Sequence, residues 1–493
     1  MLSKSFFISI ISFLLCLTCY ADQDLISVFP LDNYNQTITN WIKPTDPNYD
    51  QPLLDADIQK KRLDELNDHY FGSFSPWNAD YINQILRMSA PNNLKTVEQT
   101  ILTTYSNQSK PQDQIGYGEN FRPHSDEWIN HISDNVNLDS FDHLTYQANN
   151  RGIAVDNLKA RVLPTDDVHF YSYKLAGQGY PFDNLQMSSL WAGTPVYILT
   201  DTRDHAFTLV VTPDYIGWVK SSGIARTDNQ FIDTWQARAK KQLAAIVQTQ
   251  TKIVDNKNIF RFSAYVGSLF PADATESGIT LDIPAVNAEG FAEIHTAALS
   301  SNDAVLMPFK ATPHHFSDIM NSLINRPYGW GGMYFYNDCS AELKSLFAPF
   351  GLWIPRHSSD QVHAGRLVDM TSFSQEQRLS YLMQNGHKFF TIIYIGGHVI
   401  MYVGNYPNPN QSDHPPMAMT YQNIWGLSPT PAIRRAVIGE SVLFPMLLQY
   451  PEDTSLASLA NKKYFQVSYL DETPAKSLQR QTIDLKSLMY PDN

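Results

Sequence analysis

Tyr336-Asn337-Asp338-Cys339-Ser340-Ala341-Glu342-Leu343 is the stretch on which the reading of this chain turns. Asp338 is a good helix N-cap, so Cys339 is predicted in the first turn of a helix running to Phe350 and ending before Gly351. There the helix dipole and free backbone N–H groups favour a thiolate and lower a cysteine pKa from ~8.5 into roughly 3.5–7.5. The N–H of Cys339 would also point toward a developing oxyanion. Leu343, Leu346, Phe347 and Phe350 make the other face apolar, so a buried core cysteine is the competing reading. The chain has 3 cysteines, and the other two, Cys16 and Cys19, lie in an N-terminal apolar segment. A lone thiol in an exported protein has no intramolecular disulfide partner. Its place after Trp330-Gly331-Gly332 and before Gly397-His398 favours a nucleophile.

Outward from Cys339, the base is read at His398. It follows Gly396-Gly397, which leave room for close backbone approach, and opens the strand Val399-Ile400-Met401-Tyr402-Val403. A base held this way is worth typically 10²–10⁴-fold in rate. A third polar group must hold the imidazole tautomer. Gln422, just beyond a strand expected at Met417–Tyr421, is the candidate, and Asn423 is its rival; spacing does not choose between them.

The N-terminus reads as a secretory signal. Lys4 supplies the positive end, Phe6 to Cys19 the apolar core, and Cys19-Tyr20-Ala21 the cleavage site. Thr18 and Leu15 precede the two cysteines where a lipoprotein needs a small residue. The apolar run falls short of the roughly 20 residues of a spanning helix, so no transmembrane span is expected after cleavage, and an uncleaved anchor is the rival. With 493 residues there is room for about three domains at roughly 150 residues each. Net charge is −13, with no basic stripe, which argues against nucleic acid as a partner. No CxxC, HExxH or phosphate-binding glycine loop occurs, so neither metal nor cofactor is expected, and a Cys–His pair needs none.

The chain divides into a signal peptide at 1–21, an N-terminal helical segment at 22–152 with an extended polar arm before Leu53, and short strands at 153–228 spaced as in a small β-barrel. A helix carrying Phe231, Trp235, Ala239 and Leu243 leads into a second β series, giving a unit at 229–310 read as another small barrel. From 311 to 493 the pattern is α+β, helices first and strands after, the order of a papain-like Cys–His hydrolase.

Several motifs together resemble one family. Tyr328-Gly329-Trp330-Gly331-Gly332, Asp338-Cys339-Ser340, Ile354-Pro355-Arg356-His357-Ser358 and Gly397-His398-Val399 look like the catalytic domain of the NlpC/P60 cell-wall cysteine peptidases. Gln422 before Ile424-Trp425-Gly426 occupies the place of that family's third polar residue, commonly His. Arg161 to Thr165, Phe182 to Gln186 and Tyr215 to Val219 resemble a bacterial SH3 domain, and Ala264 to Pro271 a second one. His69 to Trp77, with Gly116 to Asn120, is similar to the N-terminal helical segment of four-part members.

The expected signal makes the protein exported, periplasmic or secreted after cleavage, and a monomer is expected; the resemblance implies a hydrolase acting on peptidoglycan or murein peptides. It would cut the bond between γ-D-glutamate and a diamino acid, usually meso-diaminopimelate, through a thioester. It also implies that Asp338, Ser340, Ser358 and Tyr215 line the substrate pocket, Asp338 meeting a free L-alanine amine. Thr194 stands where some members carry a second acid for that amine. Arg356 reads as a brace for its loop through an ion pair. The alternatives are a wall-binding protein with an idle peptidase domain, or a Cys–His acyltransferase or amidase of the same fold.

Overall fold

The computed structural model describes residues 25–276, 278–407, 416–473 and 483–490. The expected leader, with Cys16 and Cys19, lies outside them. The N-terminal segment carries helices at Ala56–Phe71, Ala79–Leu86, Leu94–Tyr105 and Asp126–Val136. Each starts on a side-chain cap, from Asp55, Asn78, Asn93 and Ser125, which satisfies orphan N–H groups of the first turn. Ile101, Tyr105, Ile129 and Val136 from the last two share one core with Leu158, Leu209 and Trp218 of the following β unit. Helical segment and β unit therefore bury a common apolar surface.

That first β unit is a seven-stranded sheet. Its order is Gln186–Leu190, Leu158–Arg161, Ile216–Lys220, Phe207–Val211, Pro195–Asp201, Arg151–Ala154, Ile224–Arg226, all neighbours antiparallel. The helix Asn229–Lys241 leads to a second unit. Here a five-stranded sheet holding Leu243–Ile246, Leu269–Thr275 and Gly278–Val286 faces a separate hairpin of Thr251–Val254 and Phe260–Ala264. Phe270 and Leu281 of the sheet and Ile253 and Phe262 of the hairpin fill one core.

The last unit is a seven-stranded sheet ordered Ile26–Val28, Arg435–Met446, Met417–Leu427, Val399–Tyr406, Thr391–Tyr394, Gln466–Tyr469, Arg366–Asp369. The helices Pro313–Leu323 and Cys339–Phe347 share a core with its central strands through Phe316, Leu343, Leu346, Met401 and Tyr421. The helix Gln375–Asn385 packs Leu379 and Leu382 with Ile400, Tyr402 and Val442 in another core. Two sequence expectations change. The strand expected to stop at Tyr421 continues to Leu427, so Gln422 lies inside it rather than beyond it. The polar arm is not merely extended: Ile26–Val28 pairs in parallel with Arg435, Ala436 and Val437 and forms the sheet edge.

The first β unit bears directly on the segment before Cys339. Gln186 Nε2 donates to the Gly331 carbonyl at 2.9 Å, and Ser189 Oγ to the Gly332 carbonyl at 3.0 Å. Gly331 and Gly332 adopt φ of 58° and 80°, and a Cβ on either would collide with the strand Gln186–Leu190. Glycine is required at both for backbone conformation and for close approach.

Candidate active site

Cys339 begins its helix as expected, with the Asp338 side chain accepting from Ala341 N–H at 2.9 Å. The residue is only 6% exposed, in a core with Leu343, Val399 and Tyr421. The N–H of Val399 faces the thiol, which brings the start of the His398 strand against the Cys339 helix. Burial pushes the thiol up to about 12, and the neighbouring Asp338 carboxylate adds to this. Arg356 and the N–H groups of Val399 and Ser340 pull the other way without overcoming it. The lowered pKa expected from helix position is thus outweighed by desolvation, which disfavours the charged form.

His398 follows two left-handed glycines, Gly396 (φ 82°) and Gly397 (φ 72°), in a tight turn closed by Ile395 N–H donating to the His398 carbonyl at 3.0 Å. Its Nε2 lies 2.7 Å from Gln422 Oε1. The direction of that bond follows from the next two. Thr420 Oγ1 donates to the Phe444 carbonyl at 2.6 Å, which leaves its oxygen to accept from Gln422 Nε2 at 3.1 Å. Gln422 must therefore turn its carbonyl to the imidazole, and His398 carries its proton on Nε2. Nδ1 is left with the lone pair a base needs. Burial holds the imidazole down at about 4, with Lys462 contributing, while Gln422 and Asp338 raise it. Asn423 points elsewhere and donates to the Asn337 carbonyl at 2.8 Å. Gln422→Ala is expected to lower kcat about tenfold, the worth of one neutral hydrogen bond, with KM little changed in steady-state peptide kinetics. A change confined to KM would contradict this.

Asp338 is buried and accepts five hydrogen bonds. They come from Arg356 Nη1 (3.1 Å) and Nη2 (2.6 Å), Gly331 N–H (3.1 Å), Ser340 Oγ (3.1 Å) and Ala341 N–H. Arg356 holds the carboxyl below its ordinary value despite burial. The expected brace by Arg356 takes this form, and it also ties the site to the first β unit through Ser188 Oγ at 2.8 Å. Ser340 lies within the same network, accepting from Arg356 at 2.8 Å. Ser358 opens the short helix Ser358–Gln361 and is half-buried. Tyr215 is buried, donates to the Ser189 carbonyl at 3.1 Å, and lines a cavity of about 60 Å³ with Asp214, Lys344 and Arg356.

Two groups were not singled out from sequence. Glu342, one turn after Cys339, is buried and accepts from Tyr421 Oη, from Ser441 Oγ at 2.7 Å and from Asn337 Nδ2 at 2.8 Å. It clamps the Cys339 helix to the strand that carries Gln422. Tyr328, quoted only for its motif, is half-buried, and burial together with Cys339 and Asp338 opposes ionisation of its phenol. Phe182 of the first β unit packs on Trp330 at 5.1 Å and on Trp425 at 5.6 Å between ring centroids. Among the described residues no group of three or more His, Cys, Asp or Glu is placed to hold a metal, and no helix is long and apolar enough to cross a membrane.

Residues 325–418 match the NlpC/P60 family. The chain carries an NlpC/P60 domain. It is, by that domain, a cysteine peptidase. Residues 6–141 match the N-terminal NlpC/P60 stabilising domain, and residues 169–220 an SH3 domain of the SH3b1 type. The match to the NlpC/P60 domain includes Cys339 and His398 and stops short of Gln422. A solved structure of an NlpC/P60 endopeptidase from Photobacterium damselae subsp. piscicida is 28% identical, covering 91% of this chain and 99% of that one, with a TM-score of 0.77. An NlpC/P60 family protein from Bacillus cereus ATCC 10987 is 14% identical, covering 62% of this chain and 98% of that one, at a TM-score of 0.37. No protein of curated function matches the chain by sequence.

Proposed function

We propose that this NlpC/P60 peptidase hydrolyses the bond between γ-D-glutamate and a diamino acid, meso-diaminopimelate, in peptidoglycan stem peptides, as an exported protein. Cys339 attacks the γ-glutamyl carbonyl while its proton passes to Nδ1 of His398. The tetrahedral oxyanion is met by the Cys339 N–H and the Tyr328 phenol. His398 then protonates the leaving amine, and water activated by the same imidazole resolves the thioester. Gln422 is the positioning residue that keeps the proton on Nε2. The observation carrying this reading is the 2.7 Å contact between His398 Nε2 and Gln422 Oε1, backed by Thr420, together with the N–H of Val399, next to His398, meeting the Cys339 thiol.

Asp338, Ser340, Ser358 and Tyr215 are assigned to the acyl-donor end of the cleft. Asp338 already accepts from five donors, so it shapes that end through Arg356 rather than by offering a free carboxylate. The domain limits at 152, 228 and 310, with 229–310 as a second SH3-like barrel, belong to the same proposal. The test is mass analysis of products from stem tri- and tetrapeptides, with the L-alanine amine free or acetylated. A free diamino-acid end from both forms is expected. Cleavage elsewhere, or transfer to an added amine in place of hydrolysis, would overturn the assigned bond or reaction; strict dependence on the free amine would overturn the role given to Asp338.

A further inference from the structure

Arg161, Asp183 and Gln186 stand in the stretches that resemble a bacterial SH3 domain, and the mechanism above uses none of them. Arg161 and Asp183 form a buried ion pair at 2.5 Å. The N–H groups of His169 and Leu185 also donate to Asp183, each at 3.0 Å, which fixes the carboxylate. Arg161 donates from Nε to the Thr165 carbonyl at 3.0 Å, from Nη2 to that of Asp167, and from Nη1 to Gln186 Oε1 at 3.2 Å. That last contact sets the Gln186 amide. A guanidinium only donates, so Oε1 turns to Arg161, and Nε2 is left to donate to the carbonyls of Ser188 and Gly331, each at 2.9 Å. Gly331 carries the constraint across. Its own N–H donates to Asp338 Oδ2 at 3.1 Å, while Asp338 Oδ1 caps the Cys339 helix at the Ala341 N–H. The two backbones meet directly, since a Cβ on Gly331 would lie 2.2 Å from the Gln186 carbonyl oxygen. The first β unit also holds this helix further along, where Asp214 pairs with Lys344 at 2.8 Å.

Gln186 is buried, and a buried amide is costly unless its donors and its acceptor are paired. Its acceptor and one donor bond are satisfied within the first β unit, and the other donor bond goes to Gly331 of the last unit. We infer that Gln186, aimed by the buried Arg161–Asp183 pair, is a positioning residue for the hydrolysis. It fixes the Gly331 peptide, through that the Asp338 carboxylate, and so the first turn that presents Cys339. The first β unit is then part of the catalytic frame, whatever else it binds. This rests on Cys339 as the nucleophile. A displacement of about 1 Å at such a group costs about 10²-fold in rate, so an amide acting only through its neighbours is enough to be felt.

Gln186→Met keeps the length of the side chain and removes the donor to Gly331. In the full chain it should lower kcat on a stem tripeptide by about tenfold to a hundredfold, with KM within about twofold of wild type. Gln186→Glu, equal in size but without a donor, should be no milder. Arg161→Lys, which keeps the charge beside Asp183 and gives up the fork, should show the same split at about threefold. Amide exchange read by mass spectrometry gives a measure independent of turnover. Gln186→Met should exchange faster across Gly329–Leu343 and as wild type does at 229–310. Wild-type kcat in all three variants, or a loss carried by KM, would overturn the inference. So would a loss matched in every variant by faster exchange throughout the chain, the mark of a merely structural role. If the wild-type protein leaves the tripeptide intact, the assigned bond falls, and the exchange pattern alone decides the role of Gln186.

Discussion

Cys339→Ala should abolish peptide hydrolysis, by about 10⁴-fold or more, while melting stays close to wild type. The thiol is a small group in a core of large ones, so its loss costs about 1 kcal/mol at most. The pH dependence should be equally diagnostic. The base works only when neutral, and His398 is held down at about 4, so kcat/KM should keep its value from neutrality to about pH 5 and fall off near pH 4. The thiol lies up at about 12, so at neutral pH the resting pair is thiol and imidazole, and proton transfer accompanies attack. Alkylation of Cys339 by iodoacetamide without substrate should then rise about tenfold per pH unit between pH 7 and 9. An alkylation rate already level at pH 6 would mean a preformed thiolate and would overturn this account. Retained turnover in Cys339→Ala would remove the nucleophile assignment itself.

Arg356→Ala carries the second large effect, and it acts on both stability and activity. Arg356 is 6% exposed, and its removal leaves the Asp338 carboxylate buried with its charge uncompensated. Breaking such a pair costs about 3–5 kcal/mol. The same change frees Ser188 and Ser340 and loosens Gly331, so the helix start at Cys339 loses its alignment with the first β unit. A large fall in melting temperature by calorimetry and a hundredfold or greater loss in kcat/KM are expected, with Arg356→Lys intermediate because charge survives without the fork. The sign with pH follows from the depressed Asp338 carboxyl. Its contribution is present above the ordinary carboxylate value of 3.8 and is lost as pH falls through the lower folded value. Wild type should therefore lose its margin over Arg356→Ala in acid. Near-equal melting temperatures at neutral pH would show that the pair contributes nothing.

Much of the catalytic end was legible because its signals are local. Asp338 before Cys339 is a cap whichever way the chain folds, and Gly396-Gly397 before His398 permits a tight turn that other residues would strain. Gln422 was the candidate, and its rival Asn423 stayed open for a specific reason. A strand ending at Tyr421 leaves Gln422 and Asn423 without a face, whereas the strand runs to Leu427. Once the strand reaches Leu427, Thr420 and Gln422 fall on one face and Tyr421 and Asn423 on the other. Only the first pair can connect Phe444 to His398, and only the second can reach Glu342 and Asn337.

The cap before Cys339, the turn before His398 and the short strands of the first β unit were legible in the sequence, because capping, turn formation and hydrophobic period are properties of short segments. The ionisation of the pair did not follow from those segments, since desolvation depends on what packs over Cys339 from Val399 and Tyr421. Nor did the edge strand Ile26–Val28, whose partner Arg435–Val437 is some four hundred residues away. The same holds for the hold of Gln186 and Ser189 on Gly331 and Gly332. Each of these is a contact between elements distant in sequence, and such contacts exist only when the whole chain has closed around them.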